Sequence, residues 1–79
     1  GEVNYKVKDA IKSMDAIKEF YKDKADSLLE IDGVSVYLKD YFFNIRKSNT
    51  EPLLRLNVES RGDVELMKEK TQELLSFIQ

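Results

Sequence analysis

Between Leu28 and Glu59 the chain passes through four short strand-like stretches, and every link between them is too short to carry one strand back alongside its neighbour in the same direction. A parallel neighbour needs a crossover of about a dozen residues or more. The strands must therefore pair antiparallel. Asp32-Gly33 is a two-residue hairpin signal, because both positions tolerate positive φ, and it predicts Leu28–Ile31 paired with Val34–Leu38. Lys39-Asp40-Tyr41 reads as a second short turn. Beyond it Phe43 and Ile45 share one face, while Phe42, Asn44 and Arg46 share the other, so Arg46 ends its strand on the polar side. Leu54, Leu56 and Val58 then alternate with Arg55, Asn57 and Glu59 in a strand beginning at Pro52 or Leu53, where the only proline is tolerated.

The flanks add a strand and two helices. Val3, Tyr5 and Val7 alternate with polar residues over Glu2–Lys8, the pattern of one buried strand face. Asp9 then caps a helix with Ala10, Ile11, Met14, Ile17, Phe20 and Tyr21 at three- and four-residue spacing, ending near Tyr21. Lys22–Ser27 is a polar connection. After Gly62 turns the chain, Asp63 caps a second helix with Val64, Met67, Thr71, Leu74, Leu75 and Ile78 on its apolar stripe and Glu65 at its positive end. The order β-α-β-β-β-β-α predicts an α+β fold, an antiparallel sheet of four to five strands with both helices on one face.

At 79 residues the chain is a single domain, near the size where one core stabilises folding only narrowly. With no Cys and no His, disulfides, Cys/His zinc sites and a Ser-His-Asp triad are excluded. A net charge of −2 disfavours a nucleic-acid partner. No run approaches the roughly 20 apolar residues of a membrane span, so no membrane partner is expected. The start, Gly1-Glu2-Val3, has neither a basic stretch nor an apolar run and lacks an initiating Met. The expectation is a cytoplasmic piece of a longer protein, with residues 1–79 as one domain.

The stretch Arg46-Lys47-Ser48-Asn49-Thr50-Glu51-Pro52 is where chemistry concentrates. A guanidinium fork, two hydroxyls and a carboxamide in a tight loop suit an oxyanion, with phosphate the first choice. Arg46 also fits a solvated strand-end arginine, and Ser48, Asn49 and Thr50 are ordinary turn formers. Ser48 has no histidine or metal motif to activate it, so it is a donor rather than a nucleophile. Arg55, on the polar side of the strand leaving the loop, is a second-rank candidate: an antiparallel pairing brings it towards Arg46, and a structural pairing with Glu51 or Glu59 fits equally. Lys47 is also second rank, its charge attracting an anion from a distance. The acidic residues are scattered, without the clustering of a magnesium site. Tyr5, Tyr37 and Tyr41 read as sheet packing rather than a stacking platform, and Arg61-Gly62-Asp63 as a turn and helix cap rather than an adhesion tripeptide.

The stretch Phe42–Asp63, FFNIRKSNTEPLLRLNVESRGD, resembles the last domain of bacterial phosphomannomutase/phosphoglucomutase, in the alpha-D-phosphohexomutase family. That domain carries a loop of pattern Arg-x-Ser-Asn-Thr-x-Pro, matched by Arg46, Ser48, Asn49, Thr50 and Pro52. Phe43-Asn44-Ile45 and Leu53–Asp63 resemble the phosphomannomutase branch, and Gly1-Glu2-Val3-Asn4 resembles the domain's first strand. The resemblance implies a TATA-box-binding-protein-like domain whose loop holds the non-reacting phosphate of a hexose phosphate or hexose 1,6-bisphosphate. It further implies a four-domain enzyme in which a phosphoserine exchanges phosphoryl groups with the sugar, with Mg²⁺ bound outside this chain and none bound here. The fragment alone is then expected to be inactive, with the other domains as partners and the sugar chosen by absent parts. The rival reading is a non-catalytic module that binds RNA or protein through the open sheet face.

Overall fold

Leu54, Leu56 and Val58 are the core face of a strand that runs from Leu53 to Ser60, and they are almost completely excluded from solvent. In the computed structural model, which describes residues 2–31, 33–48 and 51–78, this strand is β5. The preceding elements are β1 (Glu2–Lys6), α1 (Ala10–Tyr21), β2 (Ser27–Leu29), β3 (Val34–Tyr37) and β4 (Tyr41–Lys47), and α2 (Val64–Leu75) follows. All strand pairs are antiparallel, in the spatial order β1-β5-β4-β3-β2. The expected α+β architecture is the one observed.

One core joins both helices to one sheet face. Val34 and Val36 of β3, Tyr41, Phe43 and Ile45 of β4, and the three β5 residues pack with Ile17 and Tyr21 of α1 and Leu74 of α2. The Tyr21 ring meets Phe43 edge-on at 4.9 Å, while its hydroxyl donates to Glu73 Oε2 at 3.1 Å and accepts from the Tyr41 hydroxyl at 3.4 Å. Burial, followed by the Tyr41 hydroxyl and Glu73, pushes the Tyr21 phenol well above its ordinary pKa. Both helices start where expected, with Asp9 accepting from the Lys12 N–H at 3.0 Å and Asp63 from the Leu66 N–H at 2.9 Å. No helix among the described residues is long and apolar enough to cross a membrane.

Several boundaries differ from the sequence reading. The first strand stops at Lys6, because the chain must turn before the Asp9 cap; Val7 stays buried and donates to the Pro52 carbonyl at 2.9 Å. Tyr41 belongs to β4 rather than the turn, since its ring is needed in the core. The β2–β3 hairpin has a different register from a two-residue Asp32-Gly33 turn, which would pair Ile31 with Val34. Instead Leu29 faces Ser35 and Leu28 faces Val36, so the connection is longer and Ile31 is 76% exposed. The register puts Leu28 beside the buried Val36. Asp32 lies outside the described residues.

Candidate functional site

The alternation that sends Phe43 and Ile45 into the core sends Asn44 and Arg46 to the open face of β4, and the same logic puts the exposed Arg55 and the half-buried Asn57 on that face of β5. The register then does something neither strand shows alone. Arg46 and Arg55 are direct cross-strand partners. Like charges placed opposite each other on a sheet repel, so a dianion arriving between them relieves a cost as well as gaining hydrogen bonds.

A cavity of about 620 Å³ opens at this end of the sheet, and Arg46, Lys47, Ser48 and Arg55 all line it. Four of the six residues singled out from sequence are thus brought together. Asn49 and Thr50 lie outside the described residues. Ser48 follows β4 directly, and its N–H donates to the Leu53 carbonyl at 3.0 Å, closing the neck of the β4–β5 connection. The far side of that connection is pinned to β1 by the Val7–Pro52 bond. Lys47 is the exposed last residue of β4 and shares strand parity with the core residues, so it approaches the cavity from the helix side of the sheet.

Five further residues line the cavity, Met14 and Leu53 with three that bear on the arginines. Asn4 of β1 faces Arg55, and its Oδ1 accepts from Arg55 Nε at 3.2 Å. A neutral carbonyl orients the guanidinium without cancelling its charge. Glu51, one of the two carboxylates weighed as partners for Arg55, lines the same cavity. Gly33 lies beside Arg46, because the β3–β4 register that matches Val34 with Ile45 continues to this pair. The sequence reading gave Gly33 only a turn role and did not single out Asn4; the Gly33 signal was present as a glycine next to a strand, whereas the pairing of β1 with β5 has no local signature.

The connection that carries Gly33 is tied to α1 from outside. Lys18 Nζ meets Glu30 Oε1 at 2.9 Å and Asp15 Oδ1 at 3.3 Å. Glu30, with Asp15 second, raises the Lys18 pKa. Among the described residues no group of three or more Asp, Glu, His or Cys is placed to hold a metal ion. The arrangement gathers hydrogen-bond donors and positive charge around one cavity.

The family model described as "Phosphoglucomutase/phosphomannomutase, C-terminal domain" matches residues 2–76. A phosphomannomutase of Methanocaldococcus jannaschii is 51% identical over 99% of this chain, proteins of Xanthomonas campestris pv. campestris called phosphohexose mutases are 45% identical, and a phosphomannomutase of Escherichia coli K12 is 41% identical. The chain spans 17% of the length of each. A crystal structure of a phosphoglucomutase/phosphomannomutase family protein from Burkholderia thailandensis superposes with a TM-score of 0.65 at 26% identity, over 95% of this chain and 17% of that one. With a match along nearly all of its length, the chain belongs to the phosphoglucomutase/phosphomannomutase C-terminal domain family.

Proposed function

We propose that this chain is the phosphate-holding domain of a cytoplasmic phosphohexomutase, gripping the phosphate of a hexose phosphate that is not reacting while other domains move the second phosphoryl group between C1 and C6. The observation that supports the reading is the opposed pair Arg46 and Arg55 on the wall of one cavity with Ser48. Two guanidiniums and a hydroxyl match the charge and the oxygens of a phosphate dianion, and they ask nothing of the sugar. Such a grip serves both orientations of a hexose 1,6-bisphosphate. Asn49 and Thr50 would add donors from the loop. Positioning of this kind raises rate without touching the reacting atoms.

Magnesium belongs to the transfer step, and the described residues do not fit it, so no step is assigned to it in this chain. In this reading the chain holds substrate and the turnover belongs to the other domains. Charge-assisted hydrogen bonds contribute about 1.5–3 kcal/mol each, offset in part by ordering, which sets an affinity of about 1 mM or weaker for the domain by itself. Titration with glucose 1,6-bisphosphate, followed by amide chemical shifts, should move residues 46–50 and 55 first. Shifts confined to the aromatic pair Tyr37–Phe42 on the open face, or none at high ligand, would overturn the proposal.

A further inference from the structure

Among the described residues two glycines have positive φ, Gly33 at 98° and Gly62 at 78°, and their surroundings differ. A Cβ added at Gly62 meets nothing within 4 Å, so that glycine answers only to the turn before α2. A Cβ added at Gly33 would lie 2.6 Å from Arg46 Cβ, 2.7 Å from the Ile45 carbonyl oxygen and 3.2 Å from Arg46 Cα. Carbon atoms in contact sit about 3.5–4.0 Å apart, so a methyl here lacks roughly 1 Å of room. Every atom in its way is main chain or the first carbon of a side chain. No rotamer change clears them. β4 cannot retreat freely either, because Phe43 and Ile45 anchor it in the core with no solvent exposure.

We propose that Gly33 is the positioning residue for Arg46: by carrying no side chain, it lets the β2–β3 connection press against β4 where the arginine stem leaves the strand, and so sets the direction of the guanidinium into the cavity. This rests on the reading of that cavity as a phosphate site. The bond from Lys18 to Glu30 holds the same connection against α1, so the contact at Gly33 is backed from both sides.

The test compares Gly33→Ala, Val34→Ala and Arg46→Ala in the 79-residue chain, using inorganic phosphate as the probe and the Arg46 Nε–Hε resonance as a second readout. A displacement of about 1 Å at a positioned group costs up to about 100-fold in function, so Gly33→Ala should weaken phosphate binding at least about tenfold. It should also shift the Arg46 resonance before any phosphate is added. Val34→Ala, at a buried residue next in sequence, should lower the melting temperature and leave phosphate affinity within about twofold, because its side chain faces the core whereas Arg46 lies on the open face. Unchanged binding in Gly33→Ala, or equal weakening in both variants, overturns the proposal. If Arg46→Ala keeps full affinity, the phosphate reading itself falls; if it loses affinity while Gly33→Ala does not, only the role of Gly33 falls. Should Gly33→Ala fail to fold, the unmodified chain decides: Overhauser contacts between Gly33 Hα and Arg46 Hβ must persist at saturating phosphate, and their absence refutes the role.

Discussion

Replacing Arg55 by Gln separates an anion ligand from a surface arginine, because only loss of a ligand makes stability less responsive to phosphate. Arg55 and Arg46 are cross-strand partners, with Cβ atoms about 4.5–5.5 Å apart for such a pair. In chloride the substitution relieves repulsion worth a few tenths of a kcal/mol while weakening the bond to Asn4, so stability should stay within about 0.5 kcal/mol of the parent. Phosphate changes the balance. With a Kd of about 1 mM, about 30 mM phosphate stabilises the parent by roughly 2 kcal/mol. Losing one charge-assisted bond of about 1.5–3 kcal/mol leaves the variant roughly 0.1–0.7 kcal/mol. At about 4–8 °C per kcal/mol, phosphate should raise the parent's melting temperature by about 8–16 °C and the variant's by no more than about 6 °C. Circular dichroism melts at matched ionic strength read both numbers, and any general effect of phosphate on solvent cancels between the two chains. Equal shifts in parent and variant would refute the assignment of Arg55.

Asn4→Asp should weaken phosphate binding more than Asn4→Ala does: the alanine loses an orienting bond worth about 1 kcal/mol, or about fivefold in Kd, while the carboxylate also neutralises the Arg55 charge. An Asn4→Asp chain that binds phosphate like the parent in a calorimetric titration shows that neutrality at position 4 is immaterial. Tyr21→Phe should cost about 1–2 kcal/mol, since Glu73 and the Tyr41 hydroxyl each lose a partner in or beside the core. The Tyr21 phenol stays protonated in the fold but ionises near pH 10 once unfolded, so its contribution is whole below about pH 10 and is lost as the pH rises beyond it. Urea midpoints from about pH 8 to about pH 11 should therefore fall more steeply in the parent than in the Phe variant; parallel curves would contradict the assigned shift.

How much of this was legible in the sequence depends on the range of the interaction. Strand alternation and the two Asp caps are local, and the structure places β5, α1 and both caps where they were expected. The grouping of Arg46, Lys47 and Ser48 with Arg55 was also within reach, because one short hairpin joins their strands. Errors begin where register matters. Asp32-Gly33 has the composition of a two-residue turn, yet the packing of Leu28 beside Val36 selects a longer connection and leaves Ile31 in solvent. The β3–β4 register in turn carries Gly33 against Arg46. Asn4 and Arg55 are 51 residues apart, and no periodicity states that the first strand will lie beside the fifth. Tyr41 was assigned to a turn because its neighbours Lys39 and Asp40 are polar, whereas the core contact that claims it comes from α1.

The site and the core are therefore two faces of one register. Side chains alternate along β4 and β5, so burying Ile45, Leu54 and Leu56 forces Arg46 and Arg55 outward, and a slip of one residue in either strand would bury an arginine and expose a core residue. That penalty of misplacing both kinds of residue at once makes the arginine pair as well determined as the core itself. Arginines set on strands are also held more rigidly than arginines on a loop: Arg55 is paired on both sides, with Asn4 and with Arg46, and Arg46 is paired with Arg55 on one. β4 has β3 and β5 for neighbours, and β5 has β4 and β1, so neither arginine sits on a sheet edge. A small domain with a modest core can hold two like charges in opposition only if their strands cannot part, and two adjacent interior strands are where that condition is met.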